Sequence, residues 1–109
     1  MTGGRLPDTG SIPGETMEGS NVAAASLIAA ELAESGDSEF EAALQEPQKV
    51  LVNFSGGITQ DCWQVTRPNG PYTVVYMPRA GYFSLCVASA IGPIDIGVHG
   101  RAIDCYASV

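Results

Sequence analysis

The sequence is short of the residues on which most catalytic and metal sites are built. One histidine, His99, and three cysteines, Cys62, Cys86 and Cys105, are its whole stock of those two types, and no CxxC or HxxxH spacing occurs. A metal centre needs several such ligands brought together, so no metal and no cofactor is expected. The GxSxG, P-loop and GxGxxG patterns are also missing, which removes the nucleophile elbow and the phosphate-cradling loops. Three irregularly spaced cysteines do not make a secreted disulfide framework. They read as small buried hydrophobes in reduced surroundings, and the expected location is cytoplasmic. No apolar run approaches the ~20 residues of a membrane-spanning helix. Only 5 basic residues stand against 12 acidic ones, a net charge of −7. That balance speaks against nucleic acid and anionic membrane as partners.

What is present is a chain of 109 residues, 45% apolar, the size of one small domain. Its charge is uneven. Residues 1–48 hold nine carboxylates and one base, Arg5, for −8; residues 49–109 hold four bases and three acids, for +1. The first part is rich in Ala and Glu, the second in Val, Ile, Tyr, Gly and Pro. Residues 1–20 carry five glycines and two prolines with little to bury. Such a stretch does not recover the ordering cost of about 1–2 kcal/mol per residue, so a flexible acidic tail is expected there. A single domain should follow over residues 21–109, helical over 21–46 and an antiparallel sheet over 49–109.

In the helical part, Ser20 or Asn21 can cap a helix whose Val22, Ala25, Ile28, Ala29 and Leu32 recur at helical spacing. Glu31 and Glu34 fall off that stripe and read as solvated. Gly36 suits a left-handed helix end. Ser38 and Glu41 have the spacing of a capping box, which predicts a second short helix carrying Phe40, Ala43 and Leu44 inward until Pro47.

From Lys49 the period becomes two. Val50, Val52 and Phe54 alternate with Leu51 and Asn53; Trp63 and Val65 share a face; Tyr72, Val74 and Tyr76 alternate with Thr73, Val75 and Met77. Pro68-Asn69-Gly70-Pro71 and Pro78-Arg79-Ala80-Gly81 are turn signals. Apolar positions are even at Ile94, Ile96 and Val98 but odd at Ile103, Cys105 and Ala107, which predicts a bulge or break at residues 97–100. The fold class is mainly β or α+β: an antiparallel meander of five or six strands with one or two helices before it, or an incomplete immunoglobulin-like sandwich.

The run Gly70-Pro71-Tyr72-Thr73-Val74-Val75-Tyr76-Met77-Pro78-Arg79-Ala80-Gly81-Tyr82-Phe83-Ser84-Leu85-Cys86-Val87 resembles the last third of a filamin-type immunoglobulin-like repeat. Tyr72, Val74, Tyr76, Pro78, Gly81, Leu85 and Val87 carry the likeness. The turn is one residue short, and the helical stretch stands where that family has its opening strands. The resemblance implies scaffolding by strand addition.

Three functional readings follow. The first is a non-enzymatic interaction or accessory domain that binds a protein, or itself as a homo-oligomer, through a sheet edge or an aromatic face; Tyr72, Tyr76 and Trp63 are its contact candidates. The second is a small enzyme or ligand-binding protein in which His99 is the acid/base, Asp95 orients it and Arg101 binds an anion. Alternation puts Asp95, Gly97 and His99 on one strand face. The third is a thiol sensor using Cys62 and Cys86, which lie opposite the main apolar residues of their strands.

Overall fold

This computed structural model describes residues 19–109 of the chain. The helical stretch folds as α1 (Ser20–Ser35) and α2 (Ser38–Ala43). Five strands follow: β1 (Leu44–Asn53), β2 (Thr59–Thr66), β3 (Tyr72–Met77), β4 (Tyr82–Val87) and β5 (Ile94–Gly100), then a short helix α3 (Ala102–Ala107). The architecture is an antiparallel sheet with helices before it, as the change of period predicts. The tail expected at residues 1–20 lies outside the described residues apart from Gly19 and Ser20.

The strand period begins at Leu44, five residues before Lys49. Pro47 does not stop the second helix; it stands inside β1, where Leu44 faces Thr66 and Gln48 faces Gln64. Four steps on β1 thus match two on β2, and the ladder bulges around a residue that has no N–H to give. The helix ends are also shifted by a residue. Gly19, not Ser20 or Asn21, precedes α1 and has no side chain to cap it; the Ser20 hydroxyl accepts the Trp63 indole N–H at 2.6 Å. Asp37 rather than Ser38 caps α2, its carboxylate accepting Phe40 N–H at 3.0 Å. Gly36 ends α1 as predicted, at φ 62° with its N–H on Leu32 O at 2.8 Å.

The buried stripe of α1 is Ala24, Ile28 and Glu31, with Leu32 half-buried. Val22, Ala25 and Ala29 are exposed, so the apolar stripe is rotated from the one expected and Glu31 is not solvated. The last predicted strand is also corrected. Ile103, Cys105 and Ala107 belong to α3, which lays Ala102 and Cys105 into the core at a helical three-residue step. The predicted irregularity before it is present: Cys86 faces Asp95 and Leu85 faces Val98, so Ile96 and Gly97 are extra residues. Two extra residues preserve the side-chain alternation. The parity change that the sequence displays comes from the switch to helix.

Each antiparallel ladder joins sequence neighbours, from β1 to β5. With an odd number of up-and-down strands the first and last run the same way, and the sheet curls shut through one parallel rung, Asn53 opposite Ile94. Asn53 N–H donates to Pro93 O at 2.9 Å. Its side-chain amide donates to Ile91 O at 3.0 Å and Pro93 O at 3.2 Å. One sheet face carries Val65, Val74, Tyr76, Phe83 and Leu85 against Ala24, Ile28 and Phe40 of the helices and Ala102 and Cys105 of α3. The other face holds a second cluster made by strands alone: Val52, Cys62, Val75, Met77 and Cys86. Full burial of a side chain such as Phe40, Phe83 or Leu85 contributes about 1.5–3 kcal/mol each.

Candidate functional site

The cross-strand register brings together the residues of the histidine-centred reading. Ser84 faces His99 and Cys86 faces Asp95, so all four side chains stand on the sheet face of the strand-only cluster. Asp95 is their hub. The fully buried Ser84 donates its hydroxyl hydrogen to Asp95 Oδ1. His99 Nε2 lies 3.0 Å from Asp95 Oδ1 and 3.2 Å from Oδ2. The carboxylate accepts, so Nε2 is the donor of this contact, and in the neutral form of the ring Nδ1 presents the free lone pair. The Tyr82 ring stands beside the imidazole, centroids 5.6 Å apart. Gly97, at φ 84°, makes the arrangement possible: the two extra residues need a left-handed step between Asp95 and His99.

This order of contacts limits the chemistry. In a hydrolytic triad histidine bonds the serine hydroxyl and removes its proton. Here serine and histidine both donate to the same carboxylate, so Ser84 is not an activated nucleophile. An aspartate-oriented imidazole with a free Nδ1 can still accept a proton or a hydrogen bond from a bound molecule. Arg101, expected to complete the cluster, is not part of it. Its guanidinium meets Glu34 at 2.9 Å and Asp104 at 3.1 Å.

The contact candidates of the first reading stand on the opposite face. Trp63 pairs with Tyr76 across β2 and β3, and Tyr76 packs on Phe83 with ring centroids 5.1 Å apart. Tyr76 is buried, and Trp63 and Tyr72 are half-buried against the helix-covered cluster. The aromatic face expected to receive a partner is therefore turned toward the chain's own helices.

The thiol reading also meets a physical obstacle. Cys62, Cys86 and Cys105 are all free and buried. Burial pushes the Cys62 and Cys86 thiols up to about 12, with the negative charges of Asp61 and Asp95 adding for Cys62 and that of Asp95 for Cys86. Burial, then Asp104, pushes Cys105 up to about 11. The thiolate is the reactive form, so the position of Cys62 and Cys86 opposite the main apolar residues of their strands does not make them reactive. Among the described residues no group of three or more His, Cys, Asp or Glu side chains could hold a metal ion. No described helix is long and apolar enough to cross a membrane.

Sequence reasoning missed Ser84, which looks like an ordinary polar residue in an alternating strand. Only the β4–β5 register places it on Asp95. It also missed the free side of β1: beyond the Asn53–Ile94 rung, no described strand pairs with that side over residues 48–52. Nearby, Leu51, Ile58 and Ile91 are 54%, 56% and 72% exposed. The Asn53 side chain bonds the Ile91 carbonyl, and Phe54 N–H bonds the Ile58 carbonyl, so these residues gather around the seam. No family model, no curated protein and no solved structure matches this chain.

Proposed function

We propose that this chain is a non-enzymatic interaction or accessory domain that binds a protein, or a second copy of itself, by adding a strand to the free side of β1. The observation that carries this reading is the single-rung closure: among the described residues, no strand pairs with residues 48–52 on that side. A strand edge offers unpaired N–H and C=O groups as a template. The exposed Leu51, Ile58 and Ile91 supply apolar area beside it. The likeness of residues 70–87 to a filamin-type repeat supports the same mode, and three free thiols fit a reducing, cytoplasmic setting. A photo-crosslinking residue at Gln48 or Leu51 should give covalent protein adducts in cell extract, or dimers of the purified chain, whereas one at Arg79 in the β3–β4 turn should not. Equal yields from all three positions, or none from Gln48 and Leu51, would sink the reading.

The Asp95–His99 contact favours a second reading, a ligand-binding or catalytic site centred on His99. It requires that His99→Ala abolish ligand binding or turnover while leaving the folded sheet intact. Retention of both in that variant removes it.

A further inference from the structure

α1 is apolar on more sides than its own fold uses. Residues 20–30 carry no charge, yet only Ala24, Ile28 and Glu31 of the helix are buried. Val22, Ala25 and Ala29, which the helical period sets on one side, are exposed, Val22 by 64%. A helix that is apolar all round ordinarily has neighbours all round. Beside this face, between α1 and the start of β1, lies an apolar groove of about 210 Å³, lined by Ala25, Ile28, Ala29, Leu32, Leu44 and Pro47. It falls short of the roughly 300 Å³ at which small-molecule sites begin and suits an aliphatic side chain. The two charges of the helix stand toward its C-terminal end and are already answered. Glu31 accepts the Ala102 and Ile103 N–H groups, and Glu34 pairs with Arg101. The first turn holds no acid.

We propose that this face is covered by α1 of a second copy, the two helices running antiparallel about a two-fold axis between Ala25 and Ala29. Ala25 then faces the partner's Ala29, and these small side chains let the helix axes approach to the short end of the usual range of about 8–10 Å. Val22 comes opposite the partner's Leu32 and enters the partner's groove, while its own groove receives the partner's Val22. Such reciprocity is what a two-fold interface requires. The uncharged residues 24–30 of both copies make the centre. Ser20 comes opposite the partner's Glu34, so the acidic end of each helix meets the positive end of the other, where no acid already stands. Glu39, Glu41 and Glu46 are not in the groove wall. They share their surroundings with Arg67, held on the Ala42 carbonyl, and with Lys49, so the facing surfaces do not carry charge of one sign. The pairing uses no backbone group of β1 and does not rest on the edge reading.

Sedimentation of the full chain should show the mass rising from one chain to two, with a dissociation constant of about 100 µM, since a single helix pair is a small interface. Val22→Lys removes the inserted side chain and Ala29→Arg blocks the groove, both from exposed positions. Each should weaken association at least about tenfold and leave the thermal melt of the dilute monomer unchanged. Register is read with cysteine. Under mild oxidation, a mixture of Ala25→Cys and Ala29→Cys chains should form the mixed disulfide in excess of its random share, the three native thiols being buried. A one-chain mass up to about 1 mM overturns the proposal. So does a dimer that Val22→Lys and Ala29→Arg leave unchanged, and so does a random distribution of disulfides. A photo-crosslinking residue at Ala29 should join two copies; adducts with a different protein alone overturn the proposal. Dimers crosslinked from Gln48 or Leu51 that Val22→Lys does not dissolve overturn it while the edge reading stands. Dimers lost in Val22→Lys, with no crosslink from Gln48 or Leu51, support it while the edge reading falls.

Discussion

Glu31 caps a helix that begins 71 residues further along the chain: its carboxylate accepts Ala102 N–H at 3.0 Å and Ile103 N–H at 2.8 Å. Arg101 occupies the N-cap position of α3 and has no side-chain oxygen to offer. The first turn of any helix leaves N–H groups without partners inside the helix, and here α1 supplies the acceptor. The contact explains why a glutamate is buried at all, since a buried carboxylate must be hydrogen-bonded.

Glu31→Ala should therefore destabilise the fold by about 1–3 kcal/mol, because it leaves donors of α3 unsatisfied in a buried place. Glu34→Ala, which removes only the exposed pair with Arg101, should change stability by less than about 1 kcal/mol. Urea titration followed by Trp63 fluorescence distinguishes the two, and equal effects would refute the capping role.

Ser84 and Asp95 should be energetically coupled. Asp95→Ala leaves the buried Ser84 hydroxyl only the longer contact with the Leu85 carbonyl at 3.4 Å and should cost about 1–3 kcal/mol. Once Ser84→Ala is present, the same aspartate substitution should cost measurably less. A double-mutant cycle reads the coupling, and strict additivity would deny it.

Alkaline conditions should weaken the fold through its thiols. Each folded-state value, about 12, 12 and 11 for Cys62, Cys86 and Cys105, lies above the ordinary 9.0. Their contribution is whole below pH 9, where the unfolded thiols also keep their protons, and is lost progressively as pH rises toward the folded values. The urea midpoint should accordingly fall between pH 9 and the folded values, and less steeply in Cys62→Ala. At neutral pH an aromatic disulfide reagent should modify the native protein only as fast as it opens; rapid modification under native conditions would contradict the burial.

Gly97→Ala should cost about 1–2 kcal/mol through backbone strain alone, because the added methyl meets nothing within 4 Å and the φ of 84° is what opposes it. Gly97→Asn should be milder, since asparagine adopts left-handed backbone more readily. Thermal melts of both variants, read beside Gly36→Ala on the same argument (φ 62°, also open), test it.

Much of this architecture was legible because long runs obey one period. Tyr72, Val74 and Tyr76 alternate with Val75 and Met77, and the two sets do go to the two clusters. The shared face of Asp95 and His99 was legible as well, since the two extra residues between them keep alternation. Other features were hidden for stated physical reasons. Ile103, Cys105 and Ala107 fit a two-residue step, while Ala102, Cys105 and Tyr106 fit a helical one, and six residues are too few to choose between them. Glu31 was assigned to solvent because helical periodicity sees only its own turn, whereas its partners lie on another helix. Arg101 read as a free cation near His99 until α1 brought Glu34 to it. That Tyr72 and Tyr76 share a face was legible, but whether that face is core or contact surface was not, because nothing local tells that α1 and α3 cover it.

The Asn53–Ile94 closure has a mechanical corollary. The three Asn53 hydrogen bonds can part while every antiparallel ladder stays intact, so local opening at the seam is expected ahead of global melting. Such partial opening sits at the low end of a protein's ladder of local stabilities. In deuterium exchange the Asn53 amide should therefore trade its proton well ahead of Val75 in the central strand, with the seam breathing open and admitting solvent to the inner thiols.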